Sequence, residues 1–270
     1  MNARSLRFLA ATVLWVAVSA CATVPLTGRT QFSLVSPGTM LSMSRQQYGD
    51  FLKNNPLSDD QKSAAMVREV GGNIQKAVER YFTQQGMAGQ LQNYAWEFNL
   101  IESDEVNAWC MPGGKIAVYT GILPVTKDHN GLAVVLGHEI GHAVAGHGSE
   151  RMSQLLAVQM GGIALSAAIA DRPQSTQQLW FAAFGLGSQV GVILPYSRLQ
   201  EYEADRLGLV FMAMAGYDPD GAVAFWERLA AKKEGKGPPA FLSTHPTDEA
   251  RIAKMKSILP EARRYYRERR

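Results

Sequence analysis

The pentapeptide His138-Glu139-Ile140-Gly141-His142 constrains the fold of this chain more than any other feature. On an α-helix, residues i and i+4 lie on one face, so both imidazoles can bind a single metal ion. Neutral imidazoles suit tetrahedral zinc, and Glu139 falls beside the metal, where it can accept a proton from an attacking water. The pattern also arises by chance, but here the apolar segment 132–136 precedes it. The sequence therefore predicts a buried helix that carries two metal ligands.

A catalytic zinc site needs a third protein ligand and one open position. His147 follows closely, but at about 100° per residue it lies on the far side of a continuing helix from His138. We interpret it as a helix cap or a residue that supports the site. Downstream, Glu201 and Asp205 share one helix face, so Glu201 can complete a His-His-Glu set and Asp205 can accept a hydrogen bond from a ligand histidine. An acidic solvated face is the alternative, and the apolar residues within 207–211 argue against it.

The 270 residues have ordinary apolar content, which is enough for one substantial domain. A helical period runs from Met66 to Tyr81, and alternating apolar residues from Tyr94 to Leu100 indicate a strand. Segments 106–111 and 115–120 flank Pro112-Gly113-Gly114, which predicts a hairpin. Sequence after about Gly131 is helical and rich in small residues. We expect an α+β, predominantly helical fold with a small sheet or hairpin beside the metal-binding helix.

Two regions of the sequence are harder to interpret. The segment between the N-terminus and about Asp60 reads as irregular. The apolar stretches 155–170 and 179–194 are short or diluted by glycine and Gln189, so we interpret them as buried or interfacial helices rather than membrane spans. An integral membrane protein that uses both stretches is the alternative.

The N-terminus has the pattern of an export signal. Arg4 and Arg7 precede an apolar run, and small residues lead to Cys21. The tetrapeptide Val18-Ser19-Ala20-Cys21 resembles the bacterial lipobox, which implies cleavage before Cys21 and its acylation; the alternative is an ordinary signal peptide that contains a cysteine. Ala22, rather than Asp, follows the cysteine, which is similar to the outer-membrane sorting pattern. We expect residues 1–20 to be a lipoprotein signal peptide and 21–56 a lipidated tether.

Charge and cysteine content add little. The formal net charge of +3 includes Arg4 and Arg7 of the leader, so the overall charge predicts no partner. The C-terminal arginines of residues 263–270 form a basic tail, which we interpret as a solvated helix end rather than a site for anionic lipid. No aromatic platform accompanies them, so we expect no nucleic-acid partner. With Cys21 acylated, Cys110 is left unpaired and is expected to be buried.

Two further motifs flank the metal-binding helices. They are Asn107-Ala108-Trp109 with Pro112-Gly113-Gly114, and Ser243-Thr244-His245-Pro246 with Arg251. In this order, the motifs resemble those of the gluzincin peptidases that include the CAAX prenyl proteases, HtpX and the mitochondrial Oma-type enzymes. The resemblance covers roughly Leu57–Leu259 and is nearest to the periplasmic lipoprotein branch of BepA and LoiP, which the Pro25–Arg29 stretch also resembles.

The resemblance implies a zincin-like metallopeptidase domain over residues 57–262. It implies one Zn²⁺ per chain held by His138, His142 and Glu201, with Glu139 as general base. It places His245 and Arg251 near the substrate or the open metal position. His245 then either hydrogen-bonds the tetrahedral oxyanion or occupies the metal and keeps the enzyme latent, and both roles stay open. Asn107 and Ala108 are expected to bind substrate.

The expected function is that of a zinc-dependent endopeptidase, lipid-anchored at the periplasmic face of the outer membrane. It would cleave unfolded or misassembled envelope proteins in protein quality control, and the outer-membrane assembly machinery is a further expected partner. The alternative is a latent or weakly proteolytic zinc-containing chaperone or assembly factor for outer-membrane proteins.

Overall fold

A computed structural model describes residues 21–24, 27–189, 194–232 and 239–267. The predicted leader (1–20) lies outside these ranges. The chain forms two compact units. One contains the described residues up to Met40 together with Gly146–Ser197, and the other contains Leu41–Ala145 together with the residues from Arg198 onwards.

The predicted α+β, predominantly helical class is confirmed. In chain order the elements are β1 (Cys21–Thr23), β2 (Thr30–Phe32), α1 (Pro37–Asn54), α2 (Gln61–Gln84), β3 (Glu97–Ile101), β4 (Ala108–Met111), β5 (Lys115–Tyr119), α3 (Leu123–Thr126), α4 (His129–Val144), α5 (His147–Ala168), α6 (Gln174–Ser188), α7 (Leu194–Ala215), α8 (Gly221–Ala231), α9 (Ala240–Thr244) and α10 (Glu249–Arg267).

A three-stranded sheet has the order β3-β5-β4. β3 is parallel to β5, and β4 is antiparallel to β5 with Met111 opposite Lys115. The predicted hairpin is therefore confirmed. Its turn needs glycine, because Gly113 and Gly114 have φ angles of 87° and 81°, in the left-handed region that L side chains rarely adopt. Within the described part of the chain, β4 is an edge strand.

The predicted helix over residues 66–81 lies within α2. Asp60 caps it by accepting hydrogen bonds from the backbone N–H groups of Lys62 and Ser63. Its buried positions follow the 3.6-residue period and include Val67, Val70, Ile74, Ala77 and Val78.

The expectation of irregular sequence up to Asp60 is wrong, because α1 occupies 18 of those residues. Its buried positions, Met40, Ser44 and Tyr48, recur every four residues and form a narrow stripe. One member of that stripe is a serine, whose Oγ donates to the carbonyl of Pro112 over 2.7 Å. Apolar periodicity therefore gave too weak a signal for this helix.

The described parts of the apolar stretches 155–170 and 179–194 lie mainly in α5 and α6, and residues 190–193 of the second stretch lie outside the described residues. No helix among the described residues is both long and apolar enough to cross a membrane. α5 is buried only near its start, at His147, Glu150, Ser153 and Gln154, and α6 has no buried residue. The sequence predicted that these helices are either buried or interfacial. Because α6 has no buried residue, the prediction of burial is wrong for α6.

Candidate metal centre

The site is built where α4 crosses α7 at very short range. A Cβ on Gly137 would lie 2.8 Å from the carbonyl oxygen of Gly208, and a Cβ on Gly141 would lie 2.9 Å from that of Ala204. These separations exclude larger side chains, so small residues on both helices allow the two backbones to approach. The histidines next to the two α4 glycines consequently face the acidic residues of α7.

Four side chains converge at this crossing. They are His138, His142, Glu201 and His245, and their ligand atoms all lie within 4.8 Å of one another. Nε2 of His138 lies 3.1 Å from Nε2 of His142 and 3.1 Å from Nδ1 of His245. The carboxylate oxygens of Glu201 lie 3.4 Å from Nε2 of His138 and 3.3 Å from Nε2 of His142.

These distances can be compared with the geometry of zinc. Tetrahedral coordination with bonds of ~2.0–2.1 Å places neighbouring ligand atoms about 3.3 Å apart. The measured separations of 3.1–3.4 Å match that spacing. Three imidazoles and a carboxylate are also ligands that zinc favours. The residues present therefore fit one tetrahedral zinc ion.

Glu139 lies beside this group without belonging to it. Its Oε1 is 3.3 Å from Nε2 of His245, and its side chain is 5% exposed. Burial raises the pKa of Glu139, while the charges of His245 and His138 and the backbone amide of Cys110 act in the opposite direction. Edge strand β4, which carries Cys110, packs against α4 beside this carboxylate. A carboxylate with a raised pKa is suited to accept and return a proton near neutral pH.

Asp205 and Arg251 form a buried support beneath the metal group. Oδ1 of Asp205 lies 3.0 Å from Nδ1 of His138, the nitrogen on the far side of the ring from the ligand atom. Arg251 donates from Nε and Nη2 to Asp205 over 2.8 Å each, and its Nη1 lies 2.9 Å from Glu201. Its guanidinium carbon lies 3.9 Å from the ring centroid of Trp226. These contacts fix the orientation of both His138 and Glu201.

The charges of the site depend on one another. Burial alone would raise the pKa of Glu201, but hydrogen bonds with the three histidines hold it far below its usual value. Burial likewise opposes ionisation of Asp205, and Arg251 and His138 lower its pKa. Burial lowers the pKa of His138, whereas its hydrogen bonds to Asp205 and Glu201 raise it to about 9. Both acidic residues are therefore ionised and attract a cation at the point where the histidines meet.

His245 is positioned by the short helix α9 that precedes it. The Phe241 N–H donates to the carbonyl of Val106 over 3.1 Å, which ties α9 to the segment before β4. The rings of Phe241 and His245 are 4.7 Å apart. His245 therefore reaches both Glu201 and Glu139, and it is one of the four candidate metal ligands.

The remaining predicted residues lie at different places. Ala108 is the buried first residue of β4, and Asn107 precedes it and accepts a hydrogen bond from the Ala108 N–H. Cys21 begins β1. His147 is buried at the start of α5 and is not in the metal-binding group. Cys110 is a free, half-buried cysteine.

Sequence reasoning missed Trp226 and the close helix crossing. The contact of Trp226 with Arg251 depends on packing between segments far apart in sequence, which local patterns do not report. The glycines at positions 137, 141 and 208 carried a usable signal: small residues recur on one face of each helix.

Several known proteins are similar to this chain. Mitochondrial metalloendopeptidase OMA1 of Schizosaccharomyces pombe is 38% identical over 190 residues, covering 70% of this chain and 53% of that protein. Mitochondrial OMA1 of Homo sapiens is 28% identical over 246 residues, covering 88% of this chain and 46% of that protein. Beta-barrel assembly-enhancing protease of Escherichia coli is 27% identical over 179 residues, covering 58% of this chain and 33% of that protein. The chain spans about half or less of the length of these relatives.

A protein-family model gives a direct assignment. The model described as Peptidase family M48 matches residues 70–259, which is more than half of the chain and includes α4, α7 and His245. The chain belongs to peptidase family M48.

Proposed function

We propose that this chain is a zinc-dependent endopeptidase that cleaves unfolded or misassembled proteins of the bacterial envelope. The observation that carries the proposal is the convergence of His138, His142, Glu201 and His245 within 4.8 Å, with buried Glu139 beside them. Membership of a peptidase family supports the same reaction.

The mechanism follows from the positions of these side chains. Zinc, when bound, lowers the pKa of a water molecule to about 7 and polarises the scissile carbonyl. Glu139 takes the proton of the attacking water and passes it to the leaving amine. Its burial keeps the carboxylate basic enough for the first transfer and acidic enough, once protonated, for the second.

The substrate is proposed to bind as an added strand on β4. This strand is at the edge of the described sheet and lies beside Glu139. Strand addition uses main-chain hydrogen bonds, so it accepts segments of many sequences provided that they are extended. Asn107 and Ala108, at the start of the strand, are the proposed substrate contacts. Such a mode favours unfolded segments over compact domains.

His245 supports a second state of the same site. With it, the group supplies four ligand atoms at tetrahedral spacing, whereas a catalytic zinc keeps one position open. This observation favours a resting form in which His245 closes the site, so the chain acts as a latent or weakly proteolytic zinc-containing chaperone until His245 moves. If chaperone action alone is the function, Glu139→Gln will complement a deletion strain as well as wild type.

We expect His245→Ala to raise casein cleavage at least about tenfold. In a two-state protein the minor state is commonly populated at ~10% or less, and here the open, active state is the minor one. Because the substitution removes the closed state, the active population rises at least about tenfold. Initial rates on unfolded casein measure the effect. His129→Ala is the matched control, because its imidazole is 51% exposed and outside the group. A loss of activity in His245→Ala alone would instead assign this histidine to the oxyanion.

The proposed location is the periplasmic face of the outer membrane, with lipid on Cys21. The lipobox-like sequence before Cys21 supports this proposal, as does similarity to a bacterial protein named for β-barrel assembly. The mitochondrial relatives are similar in the matched region but are named for another compartment. The proposed partners are therefore protein substrates in the envelope and the outer-membrane assembly machinery.

Chelation tests the proposed reaction. We expect the purified chain to cleave casein, to lose that activity in a zinc chelator and to regain it when zinc is restored. Cleavage that persists in chelator at full zinc depletion would rule the proposal out.

A further inference from the structure

The helices α5 and α6, here called the apolar hairpin, differ from the rest of the chain in charge. From residue 152 to residue 197 the charged residues are Asp171 and Arg172 alone, and both lie in the connection between the two helices. The only charged residues on the two helices are Glu150 and Arg151, both in the first turns of α5. Water is an unfavourable environment for such a surface when its side chains are apolar.

Large apolar side chains are exposed on both helices. On α5 these include Met160 and Ile163, which are 64% and 65% exposed. On α6, Leu179 is 73% exposed, Trp180 55% and Leu186 67%. Soluble proteins leave single apolar residues exposed, whereas a cluster of this kind marks an interaction surface.

The distribution on α6 identifies the kind of partner. At ~100° per residue, Leu179, Trp180 and Leu186 together with Phe181 cover about 220° of the helix circumference. A folded protein partner covers one face of a helix. A fluid apolar medium surrounds a helix and can contact this whole arc. The hairpin surface therefore fits lipid better than it fits a second protein.

The same unit contains the proposed anchor residue. An open groove of about 550 Å³ runs between α5 and α6, and Phe32 is among its lining residues. Phe32 is the register partner of Cys21 in the β1–β2 pair. Arg29, between those strands, forms a double hydrogen bond with Glu150 of α5 at 2.8 and 2.7 Å. The segment that starts at Cys21 is thus fixed to the hairpin.

We propose that the apolar hairpin inserts into the surface of a lipid bilayer, with α6 lying in the interfacial region. At ~1.5 Å per residue, the 15 residues of α6 from Gln174 to Ser188 extend about 22 Å, and no helix among the described residues is long and apolar enough to cross the ~30 Å hydrocarbon core. The proposal places this helix in the interface, with its apolar side chains in contact with lipid, rather than across the bilayer. This inference rests on the membrane location proposed above, but it does not require acylation of Cys21.

Trp180 provides a direct test. The chain without its predicted leader (1–20), which carries Trp15, is bound to phosphatidylethanolamine and phosphatidylglycerol vesicles whose acyl chains carry bromine, which quenches tryptophan fluorescence on contact. We expect quenching in wild type and its loss in Trp180→Phe, because the other described tryptophans are more buried. Equal quenching in both proteins, or none in wild type, would overturn the inference. So would a dimer in which Trp180 is shielded from lipid.

A second comparison separates the hairpin from the lipid anchor. In a Cys21→Ser background, Leu179→Gln combined with Leu186→Gln should weaken vesicle binding at least about tenfold. Leu57→Gln, at a leucine that is 54% exposed in the other unit, is the matched control and should bind as the background does. Binding should change little between about 0.1 M and about 1 M salt, because the surface is uncharged. Unaltered binding in the double variant would contradict the proposal, whereas Cys21→Ser alone tests the anchor and chelation tests the peptidase.

Discussion

Glu139→Gln is expected to lower casein cleavage about 10²–10⁴-fold while zinc stays bound. The amide keeps nearly the same shape but cannot accept the proton of the attacking water. The carboxylate is not one of the four converging groups, so the metal-binding set remains intact. Its loss should therefore reduce kcat and leave the zinc content of the purified protein at the wild-type level.

The control for Glu139→Gln is the same substitution at a glutamate that lies outside the site. Glu102 is exposed in the same unit, and Glu102→Gln should cleave casein at the wild-type rate. Initial rates and zinc content are measured on the same preparations. If Glu139→Gln retained more than about a tenth of wild-type activity, Glu139 would not be the general base.

Glu201→Gln is expected to weaken zinc binding by more than about 100-fold and to abolish cleavage at low free zinc. Loss of a residue that merely supports a metal ligand typically costs 10–100-fold in affinity, and Glu201 is placed as a ligand itself. The substitution also removes the charge that faces Nη1 of Arg251 at 2.9 Å. Among the described carboxylates, Asp205 would then be the remaining ion-pair partner of the guanidinium, which lies next to the incoming Zn²⁺.

Competition with a chromophoric chelator gives the zinc dissociation constant for each variant. Glu227→Gln is the control, since Glu227 is 56% exposed and lies in the same unit. Because a metal that binds the folded chain stabilises it, added zinc should raise Tm less in Glu201→Gln than in wild type. Equal dissociation constants for Glu201→Gln and Glu227→Gln would mean that the carboxylate does not hold the metal.

The sequence predicted the local parts of the site well, because each depends on helix periodicity. His138 and His142 share a helix face by spacing alone, and the same holds for Glu201 and Asp205. That the two faces meet depends on the small residues at the crossing, which amphipathic patterns do not report. The structure brings together all four of these residues.

His245 and Arg251 could not be placed by pattern, because their positions depend on contacts between segments far apart in sequence. His245 needs the hydrogen bond between Phe241 and Val106, and Arg251 needs the ring of Trp226. The resemblance to gluzincins brought both residues to the site but left the role of His245 open. Helix α1 has a different cause: its buried stripe is narrow and includes a serine, so its apolar periodicity is weak.

The most direct test of the central claim is zinc analysis of the full chain by elemental measurement and X-ray absorption. We expect one zinc per chain, surrounded by imidazole nitrogen and carboxylate oxygen at about 2.0–2.2 Å. Absence of zinc from protein purified without chelator, or sulfur at about 2.3 Å in its coordination shell, would contradict the proposed centre.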